Sequence, residues 1–413
     1  MSTRRVVVTG IGMVTSIGVG IDDAWRNARN GVSGAGTIAG FDPERLPTRI
    51  ACEARDFEPK DFMPPREARR MDRFAQFAVA SARLALDDAG LDAATIPHAG
   101  VYVGTGIGGL STFVDQTTVL LERGPDRLSP FFIPMMIPNM AAAQVSMQFG
   151  LTGPLLAPVS ACATSNHAIG EALDAIRLGR ADVILAGGTE SPICEIGLAA
   201  FNAMRALSTR NDAPEAASRP FDADRDGFVM GEAGAVLVLE ELDHARARGA
   251  TILAELAGYG LSGDAHHFTE PDPTGNAPAS AIAMAMRDAS VEAADIGYIN
   301  AHATSTPVGD PNEVKVIRMA LGDDLAAACP VSSTKSMHGH CLGAAGGVEA
   351  GLTVRALVDG VLPPTINLDS LDPACEGVDH IRTAREASVD VAISNAFGFG
   401  GYNAAIVFRR WDA

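Results

Sequence analysis

Paired cysteines, long apolar runs and an excess of positive charge are all missing from this chain. Its six cysteines (52, 162, 194, 329, 341 and 375) form no C-x-x-C pair and no metal-finger spacing. That argues against a disulfide scaffold and fits a reduced, cytoplasmic chain. No segment reaches the roughly 18–20 unbroken apolar residues that a membrane helix needs. The opening MSTRRVVVTGIGMVTSIGVG has the arginine-then-apolar layout of a secretion signal, but glycines 10, 12, 18 and 20 interrupt it and no clean cleavage site follows. It reads instead as a buried first strand. A formal charge of −18 and a pI near 4.9 exclude a general binder of nucleic acid or anionic membrane. No short-period repeat, linker or low-complexity tract occurs.

What remains is material for a large core. Apolar residues make up 47% of the 413 positions and charged residues only 20%, enough for one large α/β unit or two halves. Short apolar runs read as strands at Val6–Val8, Val101–Val103, Leu155–Val159, Val183–Ala186, Ala235–Leu239, Ile296–Asn300, Val331–Ser333, Ala392–Ser394 and Ala404–Phe408. Helical spacing places helices at Asp22–Arg29 (with Asp22 as cap), Met71–Ala89, the stretch after Cys162, Asp243–Arg248 and Ala281–Ala289. Ser129–Pro138 reads as a proline-flanked loop lining something apolar. Strands and helices alternate in each half, the first covering 1–250 and the second 251–413. The runs from Ala163 and from Thr334 share a layout more than a sequence.

Four glycine- and serine-rich runs carry the reactive residues. Cys162 lies in VSACATSNHAIG, His302 in NAHATSTPVGD, Lys335 and His340 in SSTKSMHGHCLGAAGGVE, and SNAFGFGGYN follows near the C-terminus. Each begins where a strand ends, the place α/β sheets put ligands. A thiol at a helix N-terminus meets unpaired N–H groups and the positive end of the helix dipole, which favours thiolate. Imidazoles beside it can handle protons or stabilise an oxyanion. The competing reading of Cys162 is a small buried apolar residue, and the other five cysteines are read as packing. A zinc site of Cys162, His302 and His340 lacks the short ligand spacing of zinc sites. His338 reads as structural. Lys335 is either a solvated turn lysine or a charge partly buried beside Asp310 or Glu313. GTGIGG (104–109) and GIGMVT resemble dinucleotide loops, yet neither is followed by the acidic strand end that such a fold requires.

Together these runs, with AMRALSTRND and RPFDADRDGFVMGEAG, resemble the β-ketoacyl-[acyl-carrier-protein] synthases, specifically the elongating type II enzymes. The resemblance spans essentially the whole chain. It implies the thiolase fold, two similar βα halves in a five-layered αβαβα sandwich, and a homodimer. It implies that Cys162 takes the acyl chain from a carrier-protein phosphopantetheine, with the N–H groups of Cys162 and Phe399 as oxyanion hole. His302 and His340 would hold the malonyl thioester while CO2 leaves, and Lys335 would order them. Thr304 and Thr306 match pantetheine contacts, and Phe399 resembles an acyl gate, with Asp264 and Thr269 on a loop that moves with it. Ile107 and Phe132 match the acyl pocket. Arg66, Arg69 and Arg70, at i, i+3 and i+4 on a helical face, match the docking patch for an acidic carrier protein, with Arg205 added. No cofactor is required; a monovalent cation near Asn300, Glu349, Ser394 and Asn395 occurs in relatives.

Several positions depart from that pattern. Ser165 and Ala303 stand where glycine is usual, Tyr402 follows FGFGG, and Met135 and Met136 sit in the pocket segment. They bear on chain length, because methionine can remould a pocket. Alternatives are a stand-alone polyketide ketosynthase and a non-catalytic chain-length subunit; the intact Cys162 and histidines weigh against the latter. A thiolase would need a second cysteine in a matching run.

Overall fold

The computed structural model describes residues 4–412. The first half supplies β1 (Val6–Thr15), α1 (Arg73–Asp88), β2 (Gly100–Gly104), α2 (Met140–Phe149), β3 (Leu155–Leu156), α3 (Thr164–Arg177), β4 (Val183–Glu190) and β5 (Ala233–Glu241). The second supplies β6 (Ala254–Gly263), α4 (Asn276–Asp288), β7 (Tyr298–Asn300), α5 (Gly309–Leu321), β8 (Pro330–Ser332), α6 (Ala345–Asp359), β9 (Val391–Gly398) and β10 (Tyr402–Arg410).

The two halves repeat one topology. The first sheet runs β3-β2-β4-β5-β1 and the second β8-β7-β9-β10-β6. In both, the two pairings nearest the middle are antiparallel and the two outer ones parallel. The sheets meet only where Val6–Val8 pair with Ala254–Leu256. One core cluster draws on α3, α6 and strands of both sheets, so these helices form the middle layer. Separate clusters bury α1 and α2 on the outside of the first sheet and α4 and α5 on the outside of the second. Five layers result, α-β-α-β-α.

Glycine explains the longest departure from the sequence reading. β1 continues to Thr15 through Gly10 and Gly12, which read as breakers. A Cβ at Gly10 would lie 2.3 Å from the Ala85 carbonyl oxygen, and one at Gly12 would lie 2.0 Å from that of Ser81. The glycines let α1 lie directly on the strand. The second half repeats this: a Cβ at Gly258 would come within 2.4 Å of Ala285 O, and one at Gly260 within 2.0 Å of Ala281 O on α4.

Other differences are local. Asp22 lies in the first turn of the helix Ile21–Arg29, whose N-cap is Gly20 with no side-chain cap. Ser129–Pro138 holds a short helix, Phe132–Met136, because Pro134 sits early enough to cost no hydrogen bond. β3 stops at Leu156, ahead of Pro158, which has no N–H for a ladder. Of the three arginines, only Arg66 lies in a helix (Pro65–Ala68); Arg69 is its C-cap and Arg70 follows. They do not share a full helical face.

Candidate active site

Both middle-layer helices begin with the same strained elbow. Ala161 and Leu342 have φ of 50° and 46°, each opening a single tight turn (Ala161–Ala163 and Leu342–Ala344) that runs into α3 or α6. The left-handed residue lets the chain turn from the sheet edge into the helix without a glycine, a strain typical of functional turns. Thr164 Oγ1 secures the first elbow by accepting from Ser160 N at 2.9 Å and donating to Ala161 O at 2.7 Å. Ser165, where glycine is usual, donates to the Gly343 carbonyl and ties the elbows together.

The first elbow brings Cys162 against residues from the second half. Cys162 Sγ lies 3.0 Å from His340 Nε2, and the His302 and His340 rings stand edge-to-face with centroids 5.3 Å apart. Ligating atoms of all three fall within 4.8 Å of one another. The Phe399 backbone N–H also lies toward the sulfur, where it favours the ionised form. Gly398 packs tightly here, since a Cβ on it would lie 3.1 Å from Cys162 N.

Burial pushes the Cys162 thiol up to about 12, against the smaller opposing pulls of the Lys335 charge and the Phe399 N–H. Burial thus opposes the thiolate that the helix terminus favours. Burial, then the Lys335 charge, holds both His302 and His340 well below the usual imidazole range, so both are neutral. Nδ1 of each is buried without a hydrogen-bond partner. With the ring proton on Nε2, His340 would donate to the Cys162 sulfur. A tetrahedral zinc would hold its sulfur and nitrogen ligands about 3.5 Å apart, with each histidine's other nitrogen bonded behind it. The 3.0 Å contact and the partnerless Nδ1 atoms fit a hydrogen bond instead.

Lys335 is fully buried and ion-paired to Glu349, not to Asp310 or Glu313. Glu313 instead accepts from the backbone N–H of His302 at 2.8 Å and of Ala303 at 2.6 Å, and from Asn395 Nδ2 at 3.2 Å. It thereby fixes the His302 strand end. Burial raises Glu313 and Glu349 to about 7. His338, bonded to Thr334 Oγ1 at 3.1 Å and pushed down to about 3 by burial, stays outside the group as expected.

Cys162, His302 and His340 lie in a cavity of about 870 Å³ that Ile107, Arg205, Asp264, Thr269, Thr304, Thr306 and Phe399 also line. Thr304 and Thr306 sit with their hydroxyls 3.1 Å apart. The loop of Asp264 and Thr269 is bonded to the Phe399 turn: Gly400 N donates to Phe268 O at 2.9 Å, and Asn403 Nδ2 to Asp264 Oδ1 at 2.6 Å. Phe132 does not line this cavity; it packs beside Phe113 with ring centroids 6.3 Å apart. Arg66, Arg69 and Arg70 are exposed outside it, Arg70 lying 4.7 Å over the Phe131 ring.

Asn300 and Ser394 are register neighbours on β7 and β9. Near them Glu349 Oε2, Ser394 Oγ and Asn395 Oδ1 are buried oxygens without partners. The sequence reading missed Glu313's bonding role and Glu190, a buried carboxylate at the end of β4. Only tertiary contact reveals either.

Two family models cover most of the chain: the beta-ketoacyl synthase N-terminal domain over residues 3–245 and its C-terminal domain over residues 253–369. The chain belongs to the beta-ketoacyl synthase family. It is 48% identical to the 3-oxoacyl-[acyl-carrier-protein] synthase 2 of Vibrio harveyi, covering 99% of each protein. A beta-ketoacyl synthase structure from Burkholderia phymatum STM815 matches with a TM-score of 0.92 at 38% identity, over 99% of this chain and 100% of that one. A type II polyketide ketosynthase solved with its acyl-carrier protein and a hexaketide matches with a TM-score of 0.90 at 33% identity, over the full length of both.

Proposed function

We propose that this synthase elongates fatty acyl chains by decarboxylative condensation of malonyl-[acyl-carrier protein] with an acyl group on Cys162. The observation that carries this is the 3.0 Å contact of Cys162 with one of two neutral, edge-to-face imidazoles at the foot of an 870 Å³ cavity.

In loading, the Cys162 sulfur attacks the acyl thioester carbonyl, and the N–H groups of Cys162 and Phe399 hold the oxyanion. The pantetheine sulfur leaves and takes the thiol proton. His340 Nε2–H stabilises the thiolate formed as the thiol proton departs toward the leaving sulfur. In condensation, the malonyl C–C bond breaks and CO2 departs. The enolate oxygen is held by Nε2–H of His302 and His340, which need no strong base and no metal. The enolate carbon then attacks the acyl carbonyl, and the Cys162 sulfur leaves as thiolate and takes up one proton from solvent. No cofactor enters these steps.

In this reading the halves 1–250 and 251–413 each bring one side of the chemistry. Lys335 orders the histidines, Thr304 and Thr306 hold the pantetheine arm, and Phe399 swings with the Asp264–Thr269 loop to admit the acyl chain. Ile107 bounds the acyl pocket. Arg66, Arg69, Arg70 and Arg205 steer the acidic carrier protein to an otherwise acidic enzyme. The partnerless oxygens of Glu349, Ser394 and Asn395, with Asn300 beside them, suit a structural monovalent cation. A homodimer is supported by β3, an edge strand with exposed Leu155 and Leu156, and by exposed Phe113, Ile133 and Met147 on nearby helices. Phe132 would meet the pocket only in such a dimer. Among the described residues no helix is long and apolar enough to cross a membrane.

A polyketide role is the weaker reading, since identity falls from 48% to 33% between the two kinds of relative. Incubation with an acyl-carrier protein bearing a saturated acyl chain and with malonyl-carrier protein tests the proposal. Formation of the two-carbon-longer β-ketoacyl product by the protein alone supports it. Product only after addition of a second synthase contradicts it.

A further inference from the structure

The GTGIGG run, which resembles a nucleotide loop, is filled by one of the protein's own side chains. Glu190 is fully buried at the end of β4. Its Oε1 accepts from Thr105 Oγ1 at 2.6 Å and Ile107 N at 3.2 Å, and its Oε2 from Gly106 N at 2.7 Å and Gly343 N at 3.0 Å. One hydroxyl and three peptide N–H groups thus converge on a single carboxylate, the cradle that an outside anion would otherwise find. The glycines are forced by it. A Cβ at Gly106 would lie 2.7 Å from Glu190 Oε2, and one at Gly343 would lie 2.7 Å from that oxygen and 2.4 Å from Gly106 N.

The repeat shows what this cradle is. Gly343 holds the place in the second elbow that Cys162 holds in the first, each following the left-handed residue. Cys162 N packs against the end of β9 at Gly398, and Gly343 N donates to Glu190 at the end of β4. β4 and β9 are the matching strands of the two sheets. The first half leaves its anion hole open to the cavity; the second has its own plugged.

We infer that Glu190 is a positioning residue: its carboxylate fills the corresponding anion hole of the second elbow and clamps Ile107 to the Leu342–Gly343 turn, fixing the acyl side of the cavity. Ile107, Gly106 and Leu342 all line that cavity, and His340 is two residues upstream. Its specificity consequence rests on the reading of Cys162 as acyl acceptor. The Glu190 charge, like that of Glu349, also raises the Cys162 thiol, against Lys335 and the Phe399 N–H, which lower it; His340 and His302 face the same sulfur.

The test is Glu190→Gln, which keeps the volume but leaves one oxygen. That oxygen serves either the Thr105–Ile107 side or the Gly106–Gly343 side, and the new NH2 faces donors on the other. Two readouts are followed: the acyl-length profile of Cys162 loading, and the pH midpoint of Cys162 alkylation by iodoacetamide. The expected result is a loss of about tenfold or more in loading of the longest chains the native enzyme accepts, with a changed length profile. The alkylation midpoint should move to lower pH, because a negative charge near the sulfur is gone. A uniform fall in activity with an unchanged profile and midpoint would overturn the proposal. Thr105→Val, which removes one donor, should shift the profile in the same direction by less; no shift there overturns it as well, should Glu190→Gln fail to fold. If native protein loads no acyl chain, the functional reading fails, while the alkylation midpoint still judges Glu190.

Discussion

Cys162 Sγ and His340 Nε2 are 3.0 Å apart across 178 positions of sequence and across the two sheets. In the proposed mechanism the contact joins the nucleophile from the first half to an oxyanion donor from the second, so neither half would complete a catalytic turnover alone. The two partial reactions should nevertheless separate by substitution.

Cys162→Ala removes the acyl acceptor but leaves both Nε2–H donors. Acyl loading should vanish while malonyl-carrier protein still loses CO2. His302→Ala should reverse the pattern, lowering decarboxylation by about 10²–10³-fold with loading kept, whereas His340→Ala should lower both steps. Release of labelled CO2 and mass analysis of loading measure the two steps separately.

The histidines give a pH prediction whose sign is fixed by burial. Both folded values lie well below 6.5, so both rings stay neutral as the pH falls past the ordinary imidazole value. Neither histidine should contribute a titration to decarboxylation between pH 8 and about pH 6. A loss with its midpoint at 6.5 would show a charged, exposed imidazole. The same depression is a stability statement: unfolded histidines take up protons below 6.5 and folded ones do not, so their contribution is present above that pH and lost on acidification. Raised Glu313 and Glu349 act oppositely, contributing below about 4.5 and losing that contribution as pH rises through about 7.

Lys335 and Glu349 are both fully buried, so removing one charge strands the other. Lys335→Met should cost about 3–5 kcal/mol, and Lys335→Met with Glu349→Gln should recover part of it. Denaturant midpoints at constant slope measure both. Equal loss in single and double variants would show that the pair is not coupled.

Phe399→Ala leaves the backbone N–H at the sulfur in place and deletes only the ring. Loading of Cys162 should change more than malonyl decarboxylation. Equal loss in both would remove the gating role.

Much of this was legible because strand ends carry the chemistry. Cys162, His302 and Lys335 each follow a short apolar run, and all three sit where the runs stop. The limits were physical. Gly10 and Gly12 read as breakers because sequence shows their flexibility, not the helix that needs their missing Cβ. Prolines hid the helix Phe132–Met136, and spacing alone put Arg69 and Arg70 on a helix that ends before them. For Cys162 a helix terminus is visible in sequence, while the burial that opposes its ionisation is not. Glu190 and Glu313 look like ordinary acids until distant backbone N–H groups close on them.

Peptide mapping by mass spectrometry after brief exposure to acyl-carrier protein, with no malonyl donor, tests the central assignment most directly. The acyl mass should appear on the peptide containing Cys162 and be cleared when malonyl-carrier protein is added. An adduct on Cys52, Cys194, Cys329, Cys341 or Cys375, or none at all, would contradict it.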